Sequence, residues 1–382
     1  MSYIHNISTA VPAYIYDQSA LMQFYSNTTD DESAKRKIRI LAGKSGISTR
    51  YSVLKDYGLP LEDFTFFPRN KFLLPTPSLS ARMELFRKEA LRLSIKAIGN
   101  LPDFEQDKAH ITHLITVTCT GLFAPGLDID LMHALALPAT THRSSVNFLG
   151  CNAAIIALKQ ADDICKSYPN ARVLVVCTEL CTLHFQTNYS DDYLLSNLLF
   201  ADGSAAVLVG SKPCDNPLAK NTSIMGFDSF CIPDSHNEMA WQLSETGFIM
   251  NLTSYVADLI KANIKQMLDN IGVDKADIDY WAVHPGGKKI VENFVTAMGL
   301  LPTDLTESYK ILNDYGNMSS PTVLFVLKQI LDNIDPDTSE KNIFTAAFGP
   351  GLTVETMQLN VVGKVTPSKK SMRVNQLAEI NF

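Results

Sequence analysis

Cys151, His284 and Asn317 have the side chains and the settings that nucleophilic chemistry asks for, and Cys151 says most. It stands in Asn147-Phe148-Leu149-Gly150-Cys151-Asn152-Ala153-Ala154, where the glycine allows a sharp turn. The run from Ala153 to Ala161 behind it predicts a helix that is apolar on almost every face and therefore buried. A thiol at the N-terminus of such a helix feels the partial positive charge of unpaired backbone N–H groups. That setting predicts a thiol pKa lowered from about 8.5 into a range of roughly 3.5–7.5, with thiolate present at neutral pH. A small core residue packed at a strand-to-helix turn fits the same pattern. A cysteine nucleophile wants a histidine partner and often a third polar group. His284 ends an apolar strand ahead of Pro285-Gly286-Gly287, and strand ends in α/β sheets are where ligands bind. Locally it reads equally as a ring capping the next helix. Asn317, in Tyr315-Gly316-Asn317-Met318-Ser319-Ser320-Pro321, is either the third group or an ordinary N-cap.

The elements that must position these residues are legible in outline. Apolar runs predict strands over 112–119, 171–177, 205–209, 278–283 and 353–362. Helical periodicity falls between them, at 82–99, 152–167, 254–272, 287–298 and 320–332. Alternating strands and helices predict an α/β architecture. The stretch 210–221 reads as a surface connection between two halves, 1–218 and 219–382. Phe200-Ala201-Asp202-Gly203 and Phe348-Gly349-Pro350-Gly351, each leading into a strand near the end of its half, hint at an internal duplication. The tail 364–373 carries four Lys or Arg residues and reads as a solvated end.

A chain of 382 residues with 46% hydrophobic and 19% charged residues has the composition of a folded, water-soluble protein. No apolar run is long enough to span a membrane, and Met1-Ser2-Tyr3-Ile4-His5-Asn6 lacks the pattern of a secretory signal, so a cytoplasmic protein is expected. Seven cysteines in such a setting do not predict disulfides, and Cys177 and Cys181 lack the second pair a zinc site needs. A net charge of −7 argues against general binding to nucleic acid. The local exception is Lys35, Arg36, Lys37, Arg39, Lys44, Arg50 and Lys55, either a solvated helix face or a landing site for a phosphate-bearing ligand.

Five motifs in order carry a resemblance to the type III polyketide synthases, the chalcone and stilbene synthase family. They are Gly150-Cys151, Leu199-Phe200-Ala201-Asp202-Gly203, His284-Pro285-Gly286-Gly287, Tyr315 to Ser320, and Phe348-Gly349-Pro350-Gly351-Leu352-Thr353. The resemblance implies a thiolase-type fold, with duplicated βαβαβ halves in a five-layered αβαβα arrangement, and a homodimer. It also implies that Cys151 carries an acyl starter taken from acyl-CoA. His284 would pair with the thiolate and, with Asn317, bind the thioester carbonyl of malonyl-CoA as CO₂ leaves. No cofactor and no metal are implied beyond the CoA thioesters. An initiating ketoacyl-ACP synthase shares the Cys-His-Asn set and is the alternative enzyme; an inactive scaffold of the same fold is the alternative of another class.

The resemblance assigns further positions. Phe200 matches one of the family's two gatekeeper phenylalanines, and the other falls at Met250. Lys37 and Lys44 match contacts to CoA phosphate; the intervening family arginine is Ile40 here, with Arg39 as the nearest substitute. Cys181 and His184 replace cavity threonines, Trp241 replaces a small glycine, Ser319 keeps the family serine, and Ala124 stands for a methionine that reaches the neighbouring subunit's cavity. These changes resemble bacterial members more than plant ones. Unless Trp241 is plain core packing, it narrows the cavity toward an acyl chain or a small malonyl-derived product.

Overall fold

The computed structural model of the chain describes residues 1–214, 220–253, 255–335 and 340–363. The expected boundary between halves at 218/219 and the tail 364–373 lie outside the described residues. Nine strands form the main sheet: β1 (Ser2–Ala10), β2 (His113–Thr118), β3 (His142–Asn147), β4 (Arg172–Leu180), β5 (Asp202–Gly210), β6 (Asn221–Cys231), β7 (Tyr280–Val283), β8 (Glu340–Gly349) and β9 (Thr353–Val362). Their order is β7-β8-β9-β6-β1-β5-β4-β2-β3.

The duplication is visible in that order. In the first half β2-β4-β5-β1 pair parallel, antiparallel, antiparallel. In the second half β7-β8-β9-β6 pair in the same three senses. The first half adds β3, parallel to β2, at its edge. The halves meet where β1 and β6 pair antiparallel at Ser2↔Ile224, Tyr3↔Ser223 and Ile4↔Thr222.

Side chains alternate across a strand, so each strand feeds two cores. Ile115, Val175 and Val207 face a central core, while their neighbours Leu114, Val176 and Leu208 face an outer one with helix Leu79–Gly99. In the second half Ile343 and Met357 face the same central core, whereas Phe344 and Val354 face the other outer core with helices Val256–Asn270 and Lys288–Met298. The central core holds helices Ala153–Ser167 and Thr322–Asn333, which carry buried side chains on nearly every face of their first two turns. Helix, sheet, helix, sheet, helix is the five-layered arrangement of the thiolase-type fold. Among the described residues no helix is long and apolar enough to cross a membrane.

Strand β3 was not legible as an apolar run. Five of its six residues are exposed and Val146 alone is buried, in the central core, because an edge strand needs little hydrophobic pattern. A second feature outside the sheet matters more for the site. Strands Met239–Ser244 and Gly247–Leu252 form a hairpin that pairs Trp241 with Met250.

Candidate active site

Cys151 occupies a single 3-10 turn, Gly150–Asn152, ahead of its helix. Gly150 has φ +82°, and a Cβ there would lie 2.2 Å from Pro350 Cδ. Only glycine fits, so the Gly-Cys turn and the Phe-Gly-Pro-Gly segment are one packed unit. Gly203 is crowded in the same way, its Cβ position 2.4 Å from Met318 Sδ. That contact joins the Asp-Gly motif to the Asn-Met motif. Spacing alone hid these contacts, since each joins segments far apart in the chain.

Cys151 is buried, with Sγ 3.9 Å from both Oδ1 and Nδ2 of Asn317. The Asn317 amide is oriented by its neighbours: Ser319 N donates to Oδ1 at 2.8 Å and Nδ2 donates to Gly286 O at 3.2 Å. Asn317 is therefore no simple N-cap; its Nδ2 is the donor turned toward the sulfur and the Pro-Gly-Gly turn. His284 ends β7's direction of travel, its backbone N donating to Ala346 O at 2.8 Å. It is 1% exposed, and among the described residues neither Nδ1 nor Nε2 has a hydrogen-bond partner. Burial lowers its pKa to about 3, so the ring is neutral.

The expected depressed thiol is corrected by the structure. Burial pushes the Cys151 thiol up to about 11, with the nearby Glu179 carboxylate adding to the rise. Ser319 and Asn317 pull the other way without offsetting it. The helix end offers one turn of backbone N–H groups, whereas apolar walls surround the sulfur, and desolvation is the larger effect. Thiol and imidazole are each neutral at rest, and among the described residues no hydrogen bond joins them.

Cys151 and Ser319 border a pocket of only about 10 Å³. A channel of about 50 Å³ adjoins it, and Cys181, Phe200, Trp241 and Met250 line both. His284 and Asn317 border neither. Trp241 is anchored by donating Nε1–H to Cys119 O at 2.7 Å. His184 lines the channel and is fully satisfied: Nε2 meets Thr120 O at 2.8 Å, and Phe248 N donates to Nδ1 at 3.0 Å. Ala124 is exposed in a surface loop and lines no wall of its own chain's cavity.

The basic cluster divides. Lys37 and Lys44 lie seven residues apart on helix Glu32–Lys44 and share a face, with exposed Ile40 between them. Lys37 Nζ pairs with Asp191 Oδ1 at 2.7 Å. Arg39 is two residues from Lys37, about 200° around the helix, and points away from that face. Arg50 is not on the surface at all but 3% exposed, on the short strand Thr49–Ser52.

Cys119 and Glu179, which no sequence motif marks, and Asp202 of the Asp-Gly motif also build the site. Cys119 borders the pocket, its Sγ accepting from Gly150 N at 3.0 Å. Glu179 is fully buried and accepts from Cys119 N, Thr118 and Thr120 of the first half and from Ser320 of the second. Asp202 accepts from Thr182 and Val53 and so holds the turn Cys181–His184 against the strand Thr49–Ser52. A carboxylate closing an apolar strand, as in Val175-Val176-Cys177-Thr178-Glu179, was the available signal. Among the described residues no group of three or more His, Cys, Asp or Glu is disposed to hold a metal ion.

Residues 1–213 match the profile of chalcone and stilbene synthases, N-terminal domain, and residues 226–363 match that of the C-terminal domain. The chain is 30% identical over 368 residues to "Probable polyketide synthase 1" of Dictyostelium discoideum, covering 93% of this chain and 11% of that much longer protein. The C-terminal type III polyketide synthase domain of Steely1, a type I/III hybrid from Dictyostelium, is similar in structure, with a TM-score of 0.86 and 27% identity over 95% of this chain and 99% of that one. PKS-I from the brown alga Ectocarpus siliculosus shares the fold at a TM-score of 0.84 and 24% identity, over 94% of this chain and 97% of that one. With matched profiles in both halves, the chain belongs to the chalcone and stilbene synthase family, the type III polyketide synthases.

Proposed function

We propose that this chain is a decarboxylative condensing enzyme that extends a CoA-linked acyl starter with malonyl-CoA and releases a cyclised polyketide. The observation that carries this reading is the buried meeting of the Cys151 thiol with an oriented Asn317 amide, beside a His284 whose two ring nitrogens are unpartnered. Buried polar atoms are almost always satisfied, and those left open fit a group that a substrate completes.

Cys151 sulfur attacks the starter thioester, forming the acyl-enzyme; the departing CoA sulfur takes up the proton that the thiol loses. Malonyl-CoA then loses CO₂, and the electron pair moves onto its thioester oxygen. Asn317 Nδ2–H and a neutral His284 N–H are suited to receive that charge. A carboxylate in either place would repel it. Preorganised donors of this kind are worth about 2.7–4 kcal/mol each in the transition state. The carbanion attacks the acyl carbon, the bond to Cys151 breaks, the sulfur leaves as thiolate and takes a proton from water, and the lengthened chain sits on CoA. No metal or organic cofactor enters the scheme.

Lys37 and Lys44 would receive CoA phosphate, with Lys37 exchanging Asp191 for it. Phe200 and Met250 form the gate, and Cys181, His184 and Trp241 restrict the cavity to a slender acyl chain or a small product. A homodimer fits the unpaired outer edge of β3, and seven unbridged cysteines fit a reducing compartment such as the cytoplasm. The test supplies acyl-CoAs of graded length with either malonyl-CoA or malonyl-ACP. Extension from malonyl-CoA supports the reading; extension from malonyl-ACP alone would assign the initiating ketoacyl-ACP synthase instead.

A further inference from the structure

Arg50 is a buried cation whose partners are not carboxylates. Its Nε donates to Gln18 Oε1 at 2.9 Å, and one terminal nitrogen donates to Asn197 O at 2.9 Å and to Phe200 O. Gln18 in turn donates Nε2–H to Leu198 O at 2.7 Å. These three carbonyls close helix Asp191–Leu199, which delivers Phe200 to the cavity. The last carbonyls of a helix lack intrahelical partners and carry partial negative charge, so a guanidinium and an amide suit them.

The stem of the same side chain governs a second segment. Gly316 has φ +70°, and a Cβ there would lie 2.9 Å from both Cγ and Cδ of Arg50. Gly316 leads directly into Asn317, whose N donates to Leu199 O at 3.0 Å and whose O accepts from Ala201 N at 2.8 Å. One buried side chain therefore touches the segment carrying Phe200 and the segment carrying Asn317. The buried Asp202 carboxylate favours the charge from nearby, but the hydrogen bonds of the guanidinium go to neutral oxygens. Burying a charge in this way is costly, and apolar residues of similar volume would fill the space at less cost.

We infer that Arg50, braced by Gln18, is a positioning residue that sets Phe200 and Asn317 relative to Cys151 for condensation. It touches no substrate, and the inference rests on the proposed role of Asn317. The planar fork reaches three acceptors that the single ammonium of lysine cannot reach together. Displacement of a reacting group by about 1 Å costs ~10²-fold in rate.

The test measures malonyl-CoA decarboxylation by the full chain, with kcat expressed per folded chain, counted from the amplitude of its thermal unfolding transition, so that loss of folded enzyme does not register. For Arg50→Lys, kcat falls roughly 10- to 100-fold while KM changes less than about threefold, because the phosphate-facing lysines are untouched. Gln18→Glu, which keeps the acceptor for Arg50 but loses the donor to Leu198 O, shows a smaller fall in the same direction. Both variants keeping wild-type kcat per folded chain within about twofold overturn the inference, as does a rate loss that only tracks the folded fraction. Should Arg50→Lys not fold, Gln18→Glu decides by the same threshold. A wild-type chain inert toward malonyl-CoA instead overturns the proposed function, a separate failure.

Discussion

His184 and His284 are both buried and both driven by desolvation to a pKa of about 3, yet they sit in opposite kinds of site. His184 has a partner on each nitrogen and stacks on Phe248 at 4.4 Å and 8°. His284 has a partner on neither. One ring is a wall component, locked in a single tautomer with Nε2–H donating to Thr120 O. The other is held by its strand and left chemically open. A lowered pKa by itself does not separate structure from chemistry; the hydrogen-bond account does.

Matched substitutions break that comparison most sharply. His284→Leu removes two unsatisfied buried groups, so thermal unfolding shows stability unchanged or raised while malonyl-CoA decarboxylation falls by ~10²–10³-fold. His184→Leu strands a buried carbonyl and a buried N–H, so chemical denaturation shows a loss of about 2–5 kcal/mol, with a far smaller change in kcat per folded chain. Equal activity losses in the two variants would erase the distinction.

The pH dependence of stability comes next. Unfolded histidine takes a proton below about pH 6.5, whereas neither buried ring does until about pH 3. The unfolded chain binds more protons across that window, so stability is full above pH 6.5 and falls as pH drops toward 3. Each leucine variant should flatten the curve of unfolding free energy against pH by a similar amount. A curve unchanged in either variant would show that ring to be accessible to protons in the native state. Cys151 adds a kinetic counterpart: its alkylation should still be accelerating above pH 9, whereas a plateau near neutrality would restore the depressed thiol.

Much of this was readable beforehand. The periods of strand and helix placed five helices and five strands, and Cys151, His284 and Asn317 stood out by type and turn. Three things were not readable, for physical reasons. Desolvation at Cys151 depends on walls supplied by Met239, Trp241 and Pro350, which no local window contains. Arg50 lies between Lys44 and Lys55 in sequence, but its strand pairs with Tyr14–Asp17 and turns it inward. The role of His184 depends on Thr120 and Phe248, contributed by separate segments.

The smallest expected effect concerns the basic face. Lys37→Ala should raise KM for malonyl-CoA about two- to fivefold, since an exposed, already paired lysine contributes little. Arg39→Ala, on the other side of the helix, should leave KM unchanged; the reverse pattern would move the phosphate site.

The central claim is that Cys151 carries the acyl group while His284 and Asn317 serve decarboxylation. Its most direct test is the intact mass of the chain after incubation with hexanoyl-CoA, in wild type and in Cys151→Ala, together with CO₂ release from malonyl-CoA by both. The account predicts one hexanoyl adduct on the wild-type chain, none on Cys151→Ala, and continued CO₂ release by that variant. An adduct that persists in Cys151→Ala, on Cys119 or Cys181, would contradict it.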